Sequence, residues 1–481
     1  MSGMRSPSGR RAGPVPCSHG TGPRGRRRGR RATRPPRPAA GERYCPLTRQ
    51  AIREDGAPMV EAKRWRVPMA TRDHTEGHRQ ATWLELFFDL AFVVAVAQAA
   101  GQFEHAAAEG HLGEGLVGYL FAFAAIWWIW VSFTWFANFF DTDDVPYRLL
   151  MMVMIAGSLG LAAGVPAAAH LDFRIFVVSY VVMRLAYVAQ WARVYRTGEP
   201  VMRRLAGRII VLTVLVQAGW VAFLLVPAEW RVEAWIAWFA LDLAVPALSR
   251  WNPRLGGHWG HIKERYGLFT IIVLGETVAA ATIAVSHAVD SGLDFDTAPL
   301  LTLAAAGLVT VFCLWWIYFD FSGGHAFERG PVTVYVWAYA HYFVFAAIAA
   351  LGAGIALAVA RITDPDHVHL SDRAVALVPG VAVAVLLVVV VVIESVSERG
   401  IGTRHLVSKL LAAAVCVGAA LLAPVLTIPG AAVVGSLALA GLVVYGVIEQ
   451  HRRYRRSPGT EAGADALRST DHRPTTPGET T

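Results

Sequence analysis

His261-Ile-Lys-Glu-Arg-Tyr-Gly-Leu-Phe-Thr-Ile-Ile-Val-Leu-Gly-Glu276 is the stretch whose reading decides the fold. It opens with His261, Lys263, Glu264 and Arg265, then turns apolar through Ala284, interrupted only by the carboxylate of Glu276. A run of that length is a helix able to cross a bilayer. At about 1.5 Å per residue, Glu276 lies about 18 Å along the axis from Glu264. A carboxylate so deep is costly unless it faces protein or water, so Glu276 is read as a functional residue. The structural alternative is a protonated Glu hydrogen-bonded to a neighbouring helix.

The rest of the chain shares this character. Of 481 residues, 55% are hydrophobic and 17% charged, against about 25% charged in soluble domains, which makes this a membrane protein. Sixteen Trp and 22 Phe agree with that class, because aromatic side chains favour membrane interfaces. Cys17, Cys45, Cys313 and Cys416 show no CxxC and no metal-ligand spacing, so neither a disulfide framework nor a zinc site is implied. The net charge of +8 comes from Arg in the tails and along one side of the expected membrane. It is a topological signal, and no nucleic-acid partner is expected; the partner is the lipid bilayer.

Residues 1–75 are rich in Arg, Pro and Gly, as in Arg24-Gly-Arg-Arg-Arg-Gly-Arg-Arg31. They cannot bury a core and are expected to be disordered, with Met59 and Met69 as alternative starts. Apolar segments follow near 82–101, 115–140, 147–168, 173–195, 205–227 and 231–249. A second set lies near 264–286, 298–321, 332–360, 372–395, 405–425 and 430–449. The fold class is therefore an all-α bundle of about twelve transmembrane helices. The chain divides into a first half at 76–250, a second at 251–456 and a polar tail at 457–481. The starts of the two sets are offset by 182, 183, 185, 199, 200 and 199 residues, and Trp127-Trp-Ile-Trp130 echoes Trp315-Trp-Ile-Tyr318. An even number of spans per half implies parallel repeats.

Basic residues fix the orientation. With the N-terminus inside, the inner connections carry Arg148; Arg193, Arg196, Arg203, Arg204 and Arg208; Arg250, Arg254, Lys263 and Arg265; Arg329; Arg399, Arg404 and Lys409. The outer connections carry only Arg174, Arg231, Arg361 and Arg373. Both termini are expected to be cytoplasmic.

Several polar residues fall inside the apolar segments. Glu85 and Asp89 are one helical turn apart and share a face; like charges so close disfavour joint ionisation, although Glu85 could simply complement the helix dipole. Arg184, mid-segment, needs an acid, and Asp89, Asp242 and Glu276 are the candidates. His341 sits among tyrosines, where a hydrogen-bonded structural role competes with a relay role. Asp141, Asp143 and Asp144, with Arg148 following, form an acidic edge that could hold Mg²⁺ through oxygen ligands or be a solvated turn before Pro146.

At Glu85-Leu-Phe-Phe-Asp-Leu90, Asn138-Phe-Phe-Asp-Thr-Asp-Asp144 and Glu264-Arg-Tyr-Gly-Leu-Phe-Thr-Ile-Ile-Val-Leu-Gly-Glu276 the chain resembles the bacterial low temperature requirement A (LtrA) family, over roughly residues 73–450. The resemblance implies a multi-pass protein of the bacterial inner membrane and brings no reaction, substrate or catalytic residue with it.

The reading favoured by the residues is a secondary transporter or permease-like protein with proton coupling. Glu276 and Asp89 would carry protons, Arg184 would be the counter-charge, His341 a relay, and Glu85 and Glu264 further site carboxylates. The alternative is an intramembrane enzyme acting on a lipid or isoprenoid diphosphate at the cytoplasmic face. There Asp141, Asp143 and Asp144 would hold Mg²⁺. Neither reading names a substrate, and no cofactor is implied outside the second.

Overall fold

Apolar segments of this length leave the backbone one solution in lipid, the helix, because every N–H and C=O must be satisfied within the chain. A computed structural model describes residues 65–69, 80–140, 142–169, 172–251, 258–290, 297–320, 329–397 and 402–455. All belong to the unit Lys63–Thr481, and none forms a strand. Twelve long helices follow one another: α1 (Trp83–Ala108), α2 (Leu112–Phe139), α3 (Val145–Ala169), α4 (Arg174–Thr197), α5 (Pro200–Phe223) and α6 (Arg231–Leu248). Then come α7 (Trp259–Asp290), α8 (Thr297–Asp320), α9 (Pro331–Thr363), α10 (Asp372–Ser397), α11 (Thr403–Leu421) and α12 (Ile428–Arg455). A single turn, Ala423–Leu426, joins the last two. The expectations for both tails fall almost wholly outside the described residues.

Eleven of these helices are long and apolar enough to cross a membrane; α6 is not among them. It has 18 residues and carries Arg231, Glu233 and Asp242. Geometry nevertheless makes α6 a crossing. Glu85 meets His261 and Asp89 meets Arg265, both pairs separated by 176 residues, so α1 and α7 lie side by side and run the same way. Parallel helices require an even number of crossings from the start of one to the start of the other, and α6 supplies the sixth.

Local sequence explains where α1 begins. The Thr82 hydroxyl accepts from the Glu85 N–H at 3.2 Å, and Glu85 Oε2 accepts from the Thr82 N–H at 2.8 Å, a reciprocal capping box. The dipole role considered for Glu85 is thus partly real, but it uses only one carboxylate oxygen.

The core is organised around α2, which is buried on every side from Ala122 to Phe139. Lipid is as apolar as a leucine side chain, so burial alone cannot fix such a helix; packing and hydrogen bonds must. Trp128 donates to Asp242 on α6 at 2.9 Å, Trp130 to Asp89 on α1 at 2.7 Å, and Trp135 to Tyr266 on α7 at 3.2 Å. Three tryptophans thereby tie one helix to three others, each bond contributing about 0.6 kcal/mol by measured averages in membranes. The echo at Trp315-Trp-Ile-Tyr318 behaves otherwise: Trp315 and Trp316 are 45% and 46% exposed on α8.

Three pairwise contacts recur in the two sets, although α8 packs on α12 with no packing of like extent between α2 and α6 among the described residues. In the first, α1 packs on α3, α3 on α4 and α4 on α5; in the second, α7 packs on α9, α9 on α10 and α10 on α11. At one such contact a Cβ on Gly164 of α3 would stand 2.7 Å from the backbone nitrogen of Phe176 on α4, so no larger residue fits without separating the helices.

Candidate functional site

The i, i+4 spacing that puts Glu85 and Asp89 on one face of α1 also puts His261 and Arg265 on one face of α7. The acidic face meets the basic one. His261 Nε2 and Arg265 Nη1 each lie 3.3 Å from Glu85 Oε1, and Arg265 Nη2 donates to Asp89 Oδ1 at 2.5 Å. All four residues are at most 2% exposed. Trp130 completes the set through its bond to the same oxygen of Asp89. Hydrogen bonding here is incomplete: among the described residues, Asp89 Oδ2, His261 Nδ1, Arg265 Nε and Arg265 Nη1 are buried without a hydrogen-bond partner. So is charge balance. Two carboxylates face one permanent cation, and the remaining negative charge is matched only if the group holds one further proton.

A second ionic group lies on the other side of α2. Arg184 donates to Asp242 at 2.7 Å, the one pairing among the three considered that forms. Asp242 also accepts from Tyr180 at 2.6 Å, from Trp128 at 2.9 Å and from Trp220 at 3.3 Å, while Arg184 donates to Ser132 at 3.1 Å. One acid faces one base, and both carboxylate oxygens are used. Beside this group lies an open cleft in which Trp128, Trp135, Tyr187, Trp251, Tyr335 and Tyr339 alternate with aliphatic side chains of α2, α5, α6 and α9.

The family profile of the bacterial low temperature requirement A proteins matches residues 80–441, a span that holds all twelve helices but the end of the last, and both ionic groups. The chain belongs to the LtrA family. Among its relatives is an uncharacterised protein of Rhizobium meliloti (strain 1021), 28% identical over 285 residues, which covers 56% of this chain and 67% of that one.

The remaining residues singled out in this LtrA sequence are dispersed. Glu276 is half-buried and makes no hydrogen bond or ion pair with any described residue, so neither Asp89 nor Arg184 is joined to it. The reason is distance along the axis. Arg265 already meets Asp89, and Glu276 stands eleven residues further along α7, about 16 Å away on nearly the same face, at a level where nothing lies within 4 Å of a Cβ built on Gly275. Glu264 accepts from the Ala81 N–H at 3.2 Å at the edge of the cluster. His341 is held by the Trp337 carbonyl at 2.7 Å and the Tyr318 hydroxyl at 3.2 Å, with Tyr266 edge-on at 4.9 Å, the arrangement of a packed structural histidine.

The acidic edge does not converge on a cation. Asp143 forms a two-pronged pair with Arg148 at 2.6 and 2.7 Å, whereas Asp144 turns inward to Arg193 at 2.5 Å and caps α3 through the Tyr147 N–H at 3.0 Å. Asp141 lies outside the described residues. Among those described, no group of three or more His, Cys, Asp or Glu is placed to hold a metal ion. The Mg²⁺ expectation for Asp141, Asp143 and Asp144 therefore loses its geometric basis at the two described positions, because each carboxylate already has an arginine.

Arg265 and His261 are the site residues that the sequence reading left out. Arg265, Arg193 and Lys409 were counted among basic connections, but all three are buried in helices, against Asp89, Asp144 and Glu394 respectively. A signal was present: the basic i, i+4 pair at the start of α7 repeats the spacing of the acidic pair at the start of α1.

Proposed function

We propose that this protein is a secondary transporter of the bacterial inner membrane, with both termini in the cytoplasm, in which the Glu85–Asp89–His261–Arg265 cluster binds and releases one proton. The charge count carries the reading: two buried carboxylates, one buried arginine and a histidine whose Nδ1 is buried and unpartnered. Protonated, the cluster is neutral and holds α1 to α7. Deprotonated, it carries one uncompensated negative charge between two helices, which favours their separation.

Position supports the same reading. The cluster occupies the first turns of α1 and α7, the ends that the basic residues assign to the cytosol, so its proton exchanges with that side. The like packing of α1–α5 and α7–α11 supports two duplicated parallel halves, with the cluster between the first helix of each.

The test uses the purified protein in liposomes loaded with a small-molecule extract of the host cell. After an imposed pH step, wild type should change luminal pH faster than protein-free liposomes, and Asp89→Asn, which keeps the side chain's shape, should not. Wild-type liposomes that match protein-free ones would overturn the transporter reading.

A further inference from the structure

The aromatic cleft beside Arg184 is a different site from the proton cluster, and its unpaired polar atoms are of one kind. Arg184 Nε and Trp251 Nε1 are both buried N–H groups without an acceptor, and both residues line the cleft. The neighbouring acceptors are already engaged: both Asp242 oxygens are hydrogen-bonded, and Ser132 Oγ accepts from Arg184. Two tyrosines at the rim donate to main-chain carbonyls, Tyr335 to Trp251 at 3.0 Å and Tyr339 to Leu243 at 3.1 Å. The first of these bonds fixes the backbone that carries the Trp251 ring.

A cleft with spare donors and no spare carboxylate selects a ligand that accepts hydrogen bonds. Arg184 uses Nη2 for Asp242 and Nη1 for Ser132, leaving Nε for a third partner. The guanidinium fork suits a planar carboxylate on that edge. The walls specify the rest of the ligand: Trp128, Trp135, Tyr187, Trp251, Tyr335 and Tyr339 present ring faces and edges that favour another ring.

We infer that this cleft binds a single-ring aromatic monocarboxylate, its carboxylate on Arg184 Nε and Trp251 Nε1 and its ring among the tryptophans and tyrosines. The inference rests on donors and walls alone and stands apart from the proton cluster. Binding is read at equilibrium, so it succeeds or fails independently of transport.

The experiment is calorimetric titration of the full-length protein in detergent with phenylacetate, benzyl alcohol and benzylamine, blank micelles serving as the partition control. Phenylacetate should bind saturably at one site per chain, at least tenfold tighter than benzyl alcohol, and benzylamine should not bind. Trp251→Phe keeps the ring and removes the N–H; Arg184→Lys keeps the charge for Asp242 and removes Nε. Each should weaken phenylacetate at least tenfold, and if one fails to fold, the other decides. The inference is overturned if phenylacetate shows no saturable binding, if either control ligand binds as tightly, or if the folded variants bind like wild type.

Discussion

Two ionic groups flank the same helix and teach different things. Trp130 reaches Asp89 and Trp128 reaches Asp242; two residues turn an α-helix by about 200°, so the groups sit on opposite sides of α2. Around Asp242 one acid meets one base, and four donors saturate the carboxylate. Around Asp89 two acids meet one arginine, and four polar atoms are left without a hydrogen bond. A balanced pair whose carboxylate is saturated has no reason to change its charge within the bundle, so it acts as a rivet. The unbalanced group gains from a proton, so it can respond to pH.

The same chemical change should therefore have opposite consequences on the two sides. Asp242→Asn strands Arg184 and should cost roughly 3–5 kcal/mol, as should Arg184→Ala, read as a fall in melting temperature in detergent. Replacing the pair together, Arg184→Met with Asp242→Leu, should recover most of that loss. Equal stability of wild type and Asp242→Asn would end the description of this group as a rivet.

Arg265→Ala comes next. It leaves Glu85 and Asp89 facing each other without a permanent cation, so near pH 8 it should cost about 3 kcal/mol. The sign of its pH dependence follows: acidification protonates the carboxylates and removes their repulsion, so the loss shrinks toward pH 5. That slope should be steeper than for Arg184→Ala, whose single carboxylate keeps three neutral donors. Parallel melting-temperature profiles for the two variants would break the comparison.

Asp89→Asn should be mild, within about 1 kcal/mol of wild type, because it leaves Glu85 and Arg265 as a balanced pair. Smallest of all is Glu276→Gln. The residue is half-buried and unpartnered, so the melting temperature of this variant should match wild type at both ends of the pH range. A clear shift would mean that Glu276 has a partner which the geometry described here does not contain.

The contrast also marks what the sequence could disclose. Helix number and order were legible from apolar runs alone: α9, read near 332–360, spans Pro331–Thr363, and α1, read near 82–101, spans Trp83–Ala108. The pairing need of Arg184 was legible because a mid-membrane arginine must find an acid, and Asp242 was among the candidates. Partner choice for Asp89 was not. Arg265 stands at the very edge of the segment read near 264–286, just before Tyr266, where charge is ordinarily solvated; here α7 starts earlier, at Trp259, and draws Arg265 into the bundle. Glu276 misled for the complementary reason. Depth along a helix is set by counting residues, but whether a neighbouring helix supplies a partner at that depth depends on packing, and Arg265 meets Asp89 about 16 Å before Glu276 is reached. The Trp echo between α2 and α8 has the same limit: identical residue types serve as rivets in a central helix and as exposed surface in a peripheral one.

The exchangeable proton proposed for the α1–α7 cluster is tested by dye-monitored proton uptake of the purified protein as the medium is stepped from about pH 8 to about pH 5, the range in which a histidine changes charge. Wild type should take up one proton per chain more than His261→Gln. Asp89→Asn should also fall one short, because removing one of the two carboxylates leaves the cluster balanced. Equal uptake by all three proteins would contradict the account.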